Sequence, residues 1–359
     1  MKNSHSSLAP LPAGEGNSAV LGAPSLQARA KRTTVRLLWL SILAALLYFA
    51  LRNTPLIEIW NTLKVLRISQ FAIILLINAL VIALMTARWW IILRAENPSM
   101  PFLPLVGYRL SVFGLSYFTP GPQVGGEPLQ VLYLQRNHGL SFARATSAVI
   151  MDKLLEFLIN FILIGIGAWA IVRVGLIPEN GIRLNLSLIG LVVLLIWPVV
   201  HIILLYNGIM PISRILLRQP FIQPDKKSIR LIIVAERMAA IFCRKHVRAM
   251  FLAIGASLFA VLGIVAEYYL MVSFLGMKIN AIQVFAALTT MQVAFLMPLP
   301  GGLGALEASQ VFALGAFGQP ASAAISLTLL MRARDILNGG IGLLLAGRGF
   351  NNKTNSHGD

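Results

Sequence analysis

Six stretches of this sequence are apolar for long enough to cross a membrane, and that constrains the fold more than any other feature. A helix rises about 1.5 Å per residue, so about 20 apolar residues cover the hydrocarbon core of a bilayer. Apolar runs at 35–51, 70–93, 143–172, 184–206, 249–274 and 320–347 meet or approach that length. Backbone groups in lipid must bond within their own segment, which favours helices. Composition agrees, with 57% hydrophobic and 12% charged residues, against about 25% charged in soluble domains. The expected fold class is an all-α polytopic membrane protein with about six full crossings.

The formal net charge of +17 raises nucleic acid as a partner, and the distribution of the charge argues against it. The cations sit in the gaps between apolar runs, the pattern that holds basic loops in the cytoplasm. The gap 207–248 carries Arg214, Arg218, Lys226, Lys227, Arg230, Arg237, Arg244, Lys245 and Arg248. With both termini cytoplasmic in a cytoplasmic (inner) membrane, this gap falls inside. Residues 228–246 are amphipathic and too charged to span, so they suit a helix lying on an anionic leaflet. Residues 1–34 read as a disordered basic cytoplasmic tail, 35–348 as a single transmembrane domain and 349–359 as a second cytoplasmic tail. The run 35–51 is read as an uncleaved anchor, with a cleavable signal peptide as the competing reading. Trp89 and Trp90, beside Arg88 and Arg94, read as interface anchors. The single Cys243 excludes an internal disulfide framework, and the five His lack ligand spacing. No metal and no cofactor is expected.

Two shorter apolar pieces, 102–119 and 281–299, end in breaks rich in Pro and Gly. The first break holds Pro120, Pro122, Gly125 and Gly126 and is followed by Glu127. The second holds Pro298, Pro300, Gly301, Gly302 and Gly304 and is followed by Glu307. Each leads into a short helical piece, about 127–137 and 305–317. Non-helical backbone survives at membrane depth only where protein or a wet cavity satisfies it. The pieces are therefore read as re-entrant hairpins, against the alternative of two ordinary crossings each. Shifts of 178 to 180 residues superpose Pro120 on Pro298, Glu127 on Glu307, Lys153 on Arg332 and Glu156 on Asp335. Halves at about 70–206 and 249–347, joined by the amphipathic linker 207–248, form an expected inverted repeat. That is a transporter architecture, with its site between the halves.

Charges inside the apolar segments carry the chemistry. A charged side chain at the centre of a membrane helix costs about 2.5–3.5 kcal/mol on insertion scales. Asp152, Lys153 and Glu156 share one crossing, and Arg332, Arg334 and Asp335 share another. The i,i+3 and i,i+4 spacings put Asp152 and Lys153 each on a face with Glu156, and Arg332 on a face with Asp335. Glu127 and Glu307 are placed to pair with these cations. Two readings stand side by side: salt bridges that fix packing, and contact with substrate or coupling ion. The amides of Gly125, Gly126, Gly301 and Gly302, at helix starts, suit an anion such as a lipid phosphate, or form tight turns that bind nothing. Arg136 and Arg144 are read as meeting a headgroup phosphate or, alternatively, as ordinary positive-inside residues. Glu267 is a further candidate among the intramembrane charges, with a place near an interface, beside Tyr268 and Tyr269, as the alternative; Arg109 and Asn78 are read as packing or snorkelling residues. No nucleophile and base can be assembled, so an enzyme is not expected.

The segment PGPQVGGEPLQVLYLQRNHGLSFARATSAVIMDKLLEF and the segment PLPGGLGALEASQVFALGAFGQPASAAISLTLLMRARD resemble the flippase-like, lysylphosphatidylglycerol synthase transmembrane-region family. The resemblance covers roughly residues 35–348. It implies a membrane domain that moves lipid between leaflets, as the multiple peptide resistance factors do with aminoacylated phosphatidylglycerol. In those proteins an aminoacyl-transferase domain follows. Here the sequence ends at Asp359, so the expectation is the membrane part without that domain. The lipid implied is anionic, aminoacyl, or of polyprenyl or hopanoid type. Lys153 stands where many relatives are expected to have Arg, which keeps the charge and loses bidentate geometry. No nucleotide motif is present, so transport is expected to be passive or ion-coupled, with the paired acids carrying coupling protons. The alternatives are an accessory subunit or enzyme of lipid aminoacylation or glycosylation, and a lipid-binding structural protein. A homo-oligomer or a lipid-synthesis enzyme is the protein partner to consider.

Overall fold

The computed structural model describes residues 57, 60, 61, 64, 66–118, 126–176, 196, 197, 199–219, 227–295 and 302–349. The crossing expected at 35–51, most of that at 184–206, both tails, and Gly125, Gly301 and the prolines of the two breaks lie outside these residues. The described residues are helical and contain no strand.

The order is α1 (Ile68–Glu96), α2 (Phe102–Phe118), α3 (Glu127–His138), α4 (Phe142–Arg173), α5 (Val199–Tyr206), α6 (Pro211–Arg218), α7 (Lys227–Lys245), α8 (Val247–Phe274), α9 (Ala281–Phe295), α10 (Ala305–Ala316) and α11 (Ala321–Gly349). Among these, α1, α4 and α8 are long and apolar enough to cross a membrane. The pair α5 and α6, bent by 91°, makes a fourth if it counts as one span. Helix α11 has 29 residues, yet Arg332, Arg334 and Asp335 interrupt its apolar run. The pieces on either side of the breaks are helices of 17, 12, 15 and 12 residues.

Packing pairs the helices across the chain. α1 lies along α8, α2 along α11, and α4 along α9. α1 and α8 run antiparallel: Asn78 meets Glu267, and Val81, one turn on, meets Gly263. At the α2–α11 crossing a Cβ on Gly342 would overlap the Leu110 carbonyl oxygen, and one on Gly114 would lie 2.5 Å from that of Gly339. At the α4–α9 crossing a Cβ on Gly167 would overlap the Thr289 hydroxyl. Small residues let membrane helices approach this closely, which maximises dispersion contact where burial against lipid gives no drive. Both short helices end alike. Gly139 after α3 and Gly318 after α10 have φ of +66° and +75°, a left-handed cap that favours glycine.

Two apolar cores result. One gathers Trp89, Leu93, Leu134, Leu155, Cys243 and Met250. The other gathers Ile74, Met271, Leu288, Leu314 and Leu330. Helices α1 and α8 contribute opposite ends to both. Trp89 is fully buried, which corrects its reading as an interface anchor. Trp90 is half-buried, donates to the Met100 carbonyl (2.8 Å), and has Arg94 stacked over its ring. Helix α7 is amphipathic as expected. Arg230, Arg237, Arg244 and Lys245 are exposed, while Ala239, Ala240, Phe242 and Cys243 are buried. Its buried Glu236 accepts from the Ile212 and Ser213 amides (2.8 and 2.6 Å) and from the Ser213 hydroxyl. A carboxylate there satisfies donors at the start of α6 that no helix turn can reach.

Candidate functional site

Charged side chains converge from both halves. In the first half, Arg88 Nε of α1 donates to Asp152 Oδ1 (2.6 Å) and its Nη2 to Glu156 Oε2 (2.9 Å). Arg109 Nη2 of α2 reaches Asp152 Oδ2 (2.7 Å). Lys153 Nζ lies 3.1 Å from Glu156 Oε1 and 3.2 Å from Glu127 Oε1. Three cations thus face three acids, contributed by α1, α2, α3 and α4.

A second cluster is built by α8, α10 and α11. Arg332 of α11 pairs with Glu307 Oε1, its Nε at 2.6 Å. Glu307 Oε2 accepts from the Gly304 amide (2.9 Å), so the carboxylate caps its own helix and that amide is used within the chain. Arg334 Nη1 lies 3.0 Å from Glu267 Oε2 of α8, and its Nη2 2.8 Å from Asp335 Oδ1. Asn78 Nδ2 donates to the same Glu267 oxygen (3.4 Å) and Asn78 Oδ1 accepts from Asn338 (2.7 Å). Lys153 with Glu127 therefore corresponds to Arg332 with Glu307. Arg88 on α1 corresponds to Glu267 on α8.

Several expectations are corrected here. Arg88 is no interface residue: it is 2% exposed, because α1 turns it to the face that meets α4. Of the two readings of Glu267, the interface is the one set aside: it is also 2% exposed, since its face of α8 packs on α1 and α11. Arg109 and Asn78 are partners within the charged clusters. Sequence signals for these did exist. Arg88 and Glu267 are 179 residues apart, the shift that relates Lys153 to Arg332, but their opposite signs hide the match. The pattern E-x-x-Q recurs at Glu127–Gln130 and Glu307–Gln310. Both glutamines are buried. Gln310 binds the Tyr268 hydroxyl (2.6 Å) and the Ala287 carbonyl (3.2 Å).

Between the two clusters lies a cavity of ≈330 Å³, the lower range of small-molecule sites. It is lined from both halves: Arg109, Glu127, Lys153 and Glu156 on one side, and Glu267, Arg334 and Asp335 on the other. Gln130 and Asn78 add polar edges, and Met85, Met271, Met291 and Met331 supply deformable apolar wall. The carbonyl oxygen of Gln130 and one oxygen of Glu267 are buried without a hydrogen-bond partner. Asp152 stands behind the wall, held by Arg88 and Arg109. Gly126 packs onto Val112 and Ser116 of α2. Gly302, with φ of +64°, precedes α10. Arg144 is exposed and lines a separate hollow with Glu96 and Ser147. Among the described residues, no group of His, Cys, Asp and Glu is arranged to hold a metal ion.

The family model for the lysylphosphatidylglycerol synthase TM region matches residues 36–339, the span that holds every element of both clusters. The chain belongs to this family. Among curated relatives of this lysylphosphatidylglycerol synthase TM-region chain is the UPF0104 membrane protein PH1989 of Pyrococcus horikoshii. It is 24% identical over 292 residues, covering 76% of this chain and 85% of the relative. No solved structure matches. Family and apolar helices together make this a membrane protein.

Proposed function

We propose that this protein moves an amphipathic phospho- or glycolipid between the leaflets of the cytoplasmic membrane. The observation that carries this reading is the cavity walled by charged side chains from both halves. Seven charged groups line a space of ≈330 Å³. Each costs about 2.5–3.5 kcal/mol at membrane depth before it is paired. A lipid headgroup crossing the bilayer meets the same cost, and a polar cavity removes most of it while the tails stay in hydrocarbon. The cavity presents both signs, which suits headgroups that are anionic, zwitterionic or aminoacylated.

The halves are taken as an inverted repeat, 70–206 against 249–347. Support comes from the antiparallel run of α1 and α8, from the reciprocal packing of α2 on α11 and α9 on α4, and from the matched ion pairs. Two hairpins entering from opposite faces would open the cavity to each leaflet in turn. Six crossings, both termini cytoplasmic, and α7 lying on the inner leaflet complete the arrangement. The chain acts as a carrier and not as an enzyme, since ion pairs occupy the acids that general acid–base chemistry would use.

A leaflet-resolved assay in liposomes tests this. Purified protein should exchange fluorescent anionic or aminoacyl phospholipids between leaflets faster than empty vesicles. Glu127→Gln removes one partner of Lys153 and should slow exchange about 10-fold or more, the scale of a lost charged hydrogen bond, with folded protein retained. Exchange no faster than in empty vesicles with any headgroup would end the proposal.

A further inference from the structure

We infer that Glu267, bridged through Arg334 to Asp335, is a proton-binding site that opens onto the central cavity and couples proton movement to transport. The coupling rests on the lipid-transport reading above, whereas proton binding does not.

The geometry begins with a count of partners. In the first cluster Arg88, Arg109 and Lys153 answer Asp152, Glu156 and Glu127. In the second, Arg332 is engaged by Glu307, and one guanidinium, Arg334, is left between Glu267 and Asp335. Two carboxylates therefore share one cation at a buried position. An unpaired charge there is far costlier than a paired one.

The surplus can be located. Glu267 Oε2 takes Arg334 and Asn78, whereas Oε1 has no partner. That oxygen is buried without a partner, in a residue that is 2% exposed and lines the cavity. The neighbouring elements do not complete its shell. From α1 comes Asn78, already joined to Asn338. From α11 come Arg334 and Asp335, with Arg332 engaged by Glu307, and Tyr117 of α2 lines the same cavity. Helix α9 has no charged residue. Tyr268, the next residue on α8, is turned to Gln310.

A proton fits this vacancy better than a larger cation. It needs one oxygen, while a metal ion would need several, and the Asn78 amide oxygen already accepts from Asn338. A hydronium ion in the cavity would form the O–H bond at Oε1 and leave as water, and the reverse step would release the proton toward the other face. The clusters are thereby unequal: the first is balanced and can hold a headgroup, and the second changes charge.

Infrared difference spectra of the full-length protein in nanodiscs, with no transported lipid probe added, read the proton directly. Acidification from about pH 9 to about pH 5 should raise a protonated-carboxyl band. Glu267→Gln should remove it. Asp335→Asn, which leaves one carboxylate for Arg334, should remove it too and serves if the first variant does not fold. Glu96→Gln, at an exposed residue outside both clusters, should leave it. No titrating band in the native protein, or a band that persists in both variants, overturns the site. In liposomes an imposed proton gradient should change the initial lipid exchange rate several-fold, and Glu267→Gln should abolish that dependence. A band without any gradient effect on exchange overturns the coupling, as does a response to a sodium gradient alone. A band in protein that exchanges no lipid keeps the proton site and removes the transport reading.

Discussion

Arg88 and Asp152 meet at 2.6 Å across 64 residues of sequence, both nearly fully buried. The contact ties α1 to α4 and holds Asp152 in the register that leaves Lys153 and Glu156 facing the cavity. Truncating Arg88 to Ala leaves Asp152 with Arg109 and deprives Glu156 of one partner. Loss of one member of a buried pair costs about 3–5 kcal/mol, whereas replacing both with apolar residues is often near neutral. Arg88→Ala should therefore lower the thermal midpoint in detergent sharply, and Arg88→Met with Asp152→Leu should recover most of it. Equal loss in single and double variants would mean that the pair does not act as a unit.

Helix approach sets the second expectation. Gly342 of α11 has no room for a Cβ against the Leu110 carbonyl of α2, and backbone cannot yield as a side chain can. Gly342→Ala should force the two helices apart and cost about 1–3 kcal/mol, the usual range for overpacking. Gly340, two residues earlier and so on roughly the opposite face of α11, has nothing near its missing Cβ, so Gly340→Ala should be tolerated. Thermal unfolding of the two variants side by side decides it.

Much of this was legible in the sequence. The breaks at Gly126 and Gly302, the helices that follow them, the intramembrane charges and the amphipathic linker all follow from composition, spacing and the cost of charge in lipid. Glu127 and Glu307 do meet Lys153 and Arg332. Arg88 and Glu267 were harder to place, because each sits beside aromatic residues that look like an interfacial belt. Only helix rotation distinguishes a residue facing headgroups from one facing α4 or α11, and a nearly uniform apolar helix carries little periodicity from which to read rotation. The single guanidinium shared by Glu267 and Asp335 is a tertiary fact: pairing partners of α1, α8 and α11 are not encoded by local pattern.

Cys243 offers a test at the linker. Burial pushes its thiol from the ordinary 9.0 up to about 11, because the thiolate loses hydration among Ala239, Phe242 and Met250. The folded protein should resist maleimide near pH 7 and react when unfolded. The sign for stability follows. The folded thiol stays protonated where the unfolded one ionises, so the group's contribution is intact below pH 9 and declines as pH rises from about 9 to about 11. The decline should reach about 2–3 kcal/mol at most. Denaturant midpoints of native and Cys243→Ala protein across that interval should converge as pH rises. Parallel curves would place Cys243 in contact with solvent.

Because Cys243 is inert, its removal gives a quiet background for mapping the two breaks. In a Cys243→Ala chain, Gln123→Cys and Leu303→Cys put one thiol in each break. Arg230→Cys, on the exposed face of α7, marks the side on which the linker lies. If the halves are inverted, a membrane-impermeant thiol reagent applied to sealed vesicles of known orientation reaches 123 and 303 from opposite sides. The side shared with 230 identifies the hairpin that opens to the inner leaflet. The matched ion pairs supply the physical reason for this expectation. Lys153–Glu127 and Arg332–Glu307 each fasten a short helix to its long partner, and α1 and α8 run antiparallel, as they would if one half were turned over relative to the other. Labelling of 123 and 303 from the same side would remove the inversion and, with it, the alternating path through the cavity.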